Sequence, residues 1–131
     1  MHETRIRQGG DIDRAQRLHH YLLRLLVVAV PTQIVLAFFG IGLVAHATLG
    51  ALIGMVTAVV GLTAIMARTS TATVTLSMLL LFLVALQPVF IGLSQSLPSF
   101  GAVHGGNALL ILLVVVVLEL HVEDEWSTTT G

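Results

Sequence analysis

The chain has 131 residues, 56% hydrophobic and 10% charged, with no cysteine and a formal net charge of −1. That balance lies far from the usual water-soluble domain and points to a membrane protein. The absence of thiols excludes disulfides, thiolate metal sites, iron–sulfur clusters and covalently attached c-type haem.

Residues 1–21 form an arginine-rich lead, in which "DIDRAQRLHHYLLRLL" starts a helix ahead of the membrane with Asp11 or Asp13 as its N-cap. His19 and His20 read here as part of a solvated basic segment, and Tyr21 suits a membrane interface. From Arg24 to Glu119 the only formally charged side chain between them is Arg68. At about 20 residues per crossing, this stretch holds several spans. Four apolar runs are expected over 22–43, 46–67, 73–94 and 102–120, which together make a transmembrane domain of residues 22–120. The breaks are "GIGLVAH", "ARTSTAT" and "SQSLPSFG", whose glycine, serine and proline mark turns. "AHA" at 45–47 has the form of a signal-peptidase site, but the lead is long and its charge is diluted by Asp11 and Asp13, so the first run is kept as a span. Residues 121–131, "HVEDEWSTTTG", form an acidic and then polar tail. Backbone groups in lipid must be satisfied internally, and short connections force antiparallel neighbours. The expected fold is therefore all-α, a transmembrane up-down four-helix bundle.

Arginines orient this bundle. Five precede the first span and Arg68 occupies the second break, whereas the first and third breaks carry none. The positive-inside rule then places both termini and the second loop in the cytoplasm. Arginine as the sole strong base points to a GC-rich bacterial genome, hence to a bacterial inner membrane.

Two stretches resemble each other. "VHGGNALLI" (103–111) laid on "AHATLGALI" (45–53) shares a histidine, a small residue next to it (Ala47, Gly105), a small residue four on (Gly50, Ala108) and a Leu-Ile pair. Gln33 and Gln87 precede the two histidines at the ends of spans one and three, with Pro31 and Pro88 beside them. The chain thus reads as two tandem helical hairpins related by an axis along the membrane normal. His46 and His104 fall on helices two and four, in the same leaflet, where they face each other diagonally across the core. Intramembrane ionisable groups usually face a bundle interior or a cavity. Two neutral imidazoles so placed match the axial ligand set of one haem b, with Gly50 and Ala108 leaving room for a flat macrocycle. Asn107, with Ser94, Gln95, Ser96 and Ser99, supplies hydrogen-bond donors for propionates. Gln33 and Gln87 either join helices or hold the ligand. A second haem is not expected, since His121 lies about 100° around the helix from His104.

"HATLGALIGMVTAVVGL" and "HGGNALLILLVVVVL", each after a glutamine-containing span, resemble the histidine helices of small membrane cytochromes b. The nearest shapes are cytochrome b561-like bundles and one four-helix half of haem A synthase. A family of small, uncharacterised four-span bacterial membrane proteins has the same look over nearly the whole chain. The resemblance implies bis-histidine haem b through His46 and His104, with electron transfer as the chemistry. The chain departs from those relatives in lacking a second histidine pair and an outer basic residue for propionates.

Two functions stay open. One is a haem-carrying electron-transfer subunit or relay, with quinone as a candidate partner. The alternative is a cofactor-free accessory subunit whose apolar exterior meets lipid, partner membrane subunits or a second copy. Either is a subunit role rather than a stand-alone enzyme. Efflux pumping is disfavoured because no carboxylate lies between Asp13 and Glu119. Nucleic-acid binding has no support, the arginine-rich lead being short and mixed with acids.

Overall fold

The computed structural model describes residues 2–40 and 42–130, with side chains placed for residue 12 and for 14–40 and 42–128. The chain forms four helices, α1 (His2–Phe38), α2 (Leu43–Met66), α3 (Thr71–Ser94) and α4 (Ser99–Thr130). Each contains a segment long and apolar enough to cross a membrane: Arg14–Phe38, Leu43–Met66, Thr71–Ser94 and Ser99–Thr128. They pack as an antiparallel four-helix bundle in which each helix packs on its two neighbours around the ring, α4 closing onto α1, while the backbones of diagonal pairs stay apart among the described residues. Packing is most extensive within the α1–α2 and α3–α4 hairpins.

Helix ends depart from the sequence reading in three places. α1 already runs through Asp11 and Asp13, so neither is its N-cap, and their side chains lie outside the described set. α2 begins at Leu43, which puts His46 inside its first turn rather than in the preceding loop. α4 continues through the acidic segment to Thr130, where a polar tail was expected.

The turns differ in chemistry. Between α1 and α2, Gly40 and Gly42 take positive φ (63° and 57°), where a side chain would be strained. Between α2 and α3, the Thr69 amide donates to Ala64 O (3.3 Å) and the Arg68 amide to Ile65 O (3.2 Å). This is a Schellman closure, and the left-handed position normally given to glycine holds Arg68 at φ 51°. Ser70 then caps α3 by accepting from the Thr73 amide at 3.2 Å.

Within their membrane-crossing segments the four helices are largely apolar around the circumference, so composition does not single out a buried face. The structure buries a seam spaced by threes and fours: Ile53, Thr57, Val60, Ala64 on α2; Thr73, Ser77, Leu80, Val84 on α3; Ile111, Val115, Leu118, Val122 on α4. This is the spacing of coiled-coil packing, and α1 joins it with Leu23, Leu26 and Val30. Buried hydroxyls are satisfied along their own helices, Thr57 donating to Ile53 O (2.7 Å) and Ser77 to Thr73 O (2.8 Å). Bulky aliphatics such as Val28, Met55, Phe82 and Leu113 point outward. A lipid-facing bundle has this distribution, with small and hydroxyl side chains at helix contacts.

Candidate functional site

At the end of the bundle formed by the first and third turns, α2 and α4 bring His46 and His104 together. Their ring centroids are 6.4 Å apart with planes inclined at 65°. A metal–imidazole bond of about 2.0–2.1 Å puts two rings in line across one ion with centres about 6.3 Å apart. The observed spacing therefore suits one metal centre held between two helices whose backbones stay apart.

The glutamines extend this pair into a row across the bundle. Gln33 on α1 donates its Nε2–H to the His46 carbonyl at 2.8 Å. The Gln87 main chain on α3 lies beside the His104 ring. Four polar atoms in the row are buried and without a partner: Gln33 Oε1, His46 Nδ1, Gln87 Oε1 and His104 Nδ1. One comes from each helix. Leaving a buried polar atom unmade costs about 1–3 kcal/mol, and four such atoms at this end of the bundle mark a place where a ligand would gain most.

Other residues singled out from the sequence take different positions. Space beside Gly50 is filled, since a Cβ there would stand 3.1 Å from Gln33 Nε2. Gly50 thus seats the glutamine that holds His46, and leaves no room on that side for a macrocycle. Open space lies instead along α4, where a Cβ on Gly101, Gly105 or Gly106 would meet nothing within 4 Å. Ala108 is half-buried one turn after His104. Asn107 is buried and donates Nδ2–H to Leu83 O at 2.8 Å, so this donor ties α4 to α3. Ser94 likewise donates to Ile91 O (2.7 Å), whereas Gln95, Ser96 and Ser99 are exposed.

The opposite end carries the charges. Arg24 Nε lies 3.3 Å from Glu119 Oε1, and its terminal nitrogen 3.1 Å from Glu123 Oε1, tying α1 to α4. Thr73 donates to Glu125 Oε2 at 3.0 Å, joining α3 to α4. His121 stands 3.3 Å from Glu125 Oε1 and 3.4 Å from Ser70 Oγ, far from the His46–His104 pair. His19, expected in a solvated segment, is fully buried at 1% exposure. Its Nδ1 is 3.1 Å from both Val60 O and Thr63 Oγ1. The correction has a simple cause: α1 starts well before the apolar run, so His19 falls on the buried seam one turn before Leu23. Its spacing to Leu23 and Leu26 was the available signal. His20, on the adjacent face, stacks on Trp126 with centroids 6.0 Å apart and planes at 18°.

No protein-family model, no curated protein and no solved structure matches this chain.

Proposed function

We propose that this is a multi-pass bacterial inner-membrane protein that holds one haem b between His46 and His104 and works as an electron-transfer subunit or relay. The observation that carries the reading is the row Gln33–His46–His104–Gln87, with ring spacing suited to one metal and an unpartnered buried polar atom on every member. When bound, the haem supplies a one-electron couple. His46 and His104 would hold it through one ring nitrogen each, and Gln33 fixes the backbone at His46. With the arginine-bearing end in the cytoplasm, this site lies in the outer leaflet.

The test is the visible spectrum of detergent-purified protein expressed with excess haem. A six-coordinate haem b gives sharply split bands on dithionite reduction and no shift with carbon monoxide. Absence of haem absorbance would overturn the reading in favour of a cofactor-free accessory subunit. One observation favours that second reading: Asn107 and Gln33 each commit an amide donor to a neighbouring helix, as polar residues do when they only join helices.

A further inference from the structure

On α1, His20 and Arg24 stand one helical turn apart; on α4, Glu119 and Glu123 do the same, and the two pairs face each other at the charged end. One ligating atom from each of His20, Glu119 and Glu123 lies within 4.8 Å of the other two. Arg24 engages Glu119 and Glu123 through their Oε1 atoms. Arg24 thus stands against two carboxylates, with Arg17 lining the adjoining cavity. Glu119 is buried at 9% exposure, and its Oε2 is without a partner. His20 Nδ1 is likewise buried and unpartnered.

From this we infer that His20, Glu119 and Glu123 form a divalent transition-metal site, separate from the His46–His104 centre and at the opposite end of the bundle. One imidazole nitrogen and two carboxylates are a mixed donor set suited to Zn2+, Mn2+, Fe2+ or Co2+ rather than to a soft, thiolate-seeking ion. Arg24 would act in the outer sphere through the Oε1 atoms it holds, which leaves Glu119 Oε2 free for a metal. Trp126 holds the His20 ring flat and so fixes its direction. A cavity of about 460 Å3 lined by Arg17, His20, Tyr21, Arg24, Glu123 and Trp126 gives an ion access to the site.

Zn2+ calorimetry on the full chain, without a polyhistidine tag and in a His46→Ala/His104→Ala background, tests this independently of the haem reading. One equivalent of Zn2+ per chain is expected. His20→Phe keeps a ring on Trp126 but removes the nitrogen, and Glu123→Gln keeps the Arg24–Glu119 pair. Each should weaken Zn2+ binding by about tenfold or more, since even outer-sphere changes cost about 10–100-fold. Should the double background not fold, the same comparison in the parent chain applies, where His20→Phe removes one equivalent. No Zn2+ uptake by a chain with native helicity, or an affinity unchanged by either variant, overturns the site and leaves an ion-pair cluster only.

Discussion

At the charged end Arg24 bridges Glu119 and Glu123 across two helices, and Thr73 and His121 both reach Glu125. At the histidine end no formally charged side chain is present, and the polar row Gln33–His46–His104–Gln87 buries four atoms without partners. The turns differ in the same sense. The α1–α2 turn at the histidine end takes positive φ at Gly40 and Gly42, whereas the α2–α3 turn at the charged end places Arg68 there. Ion pairs and hydrogen bonds join helices at the charged end, where His19 Nε2, His20 Nδ1 and Glu119 Oε2 are still left buried without partners. At the histidine end no ion pair contributes, and interhelical amide bonds from Gln33 and Asn107 stand beside the four unpartnered atoms. Arg68 tolerates a backbone conformation that glycine would take more easily, which is understandable if its positive charge at that loop is what fixes the direction of insertion.

Substitution of the histidines should produce the largest effect. His46→Ala or His104→Ala should abolish haem absorbance, because one imidazole is left to hold the ring, whereas His121→Ala should leave the spectrum unchanged. Loss in all three variants would erase the distinction between the ends. Orientation is an equally sharp test: Ser96→Cys should react with an impermeant maleimide in intact cells and Thr71→Cys should not, and the opposite pattern would move the histidine end to the cytoplasm. Next in size is Gly61→Leu, where even a Cβ would meet Met78 Cε at 2.9 Å. About 1–3 kcal/mol of destabilisation is expected in an SDS titration. Gly50→Leu should instead expel the Gln33 amide and reduce haem occupancy more than Gly61→Leu does; equal losses would make Gly50 a packing residue only. Arg68→Gly should raise stability by about 1 kcal/mol through relief of the left-handed strain, while weakening the orientation seen by cysteine labelling. Smallest is Asn107→Leu, which removes one interhelical hydrogen bond worth about 0.6 kcal/mol and at most about 1.7.

The sequence by itself determined the number of helices, their turns, their antiparallel order and the placement of His46 and His104 on alternate helices near one end. Those follow from lengths, from glycine and proline breaks, and from the cost of an unsatisfied backbone in lipid, all of which are local. The recurrent histidine context was legible for the same reason, since register along a helix is set by counting residues. Which stripe of each helix is buried was not legible. A Leu or Val facing lipid is as well solvated as one facing a neighbouring helix, so no apolar periodicity records the choice. Only packing showed that Thr57, Ala64, Thr73 and Ser77 lie on the seam and that His19 sits under it. The tertiary structure likewise decided what fills the space beside Gly50, because Gln33 comes from another helix. It also decided that Arg24 meets Glu119 and Glu123 across 95 and 99 residues of chain, a pairing set by the closing of α4 onto α1 rather than by anything near either residue in sequence.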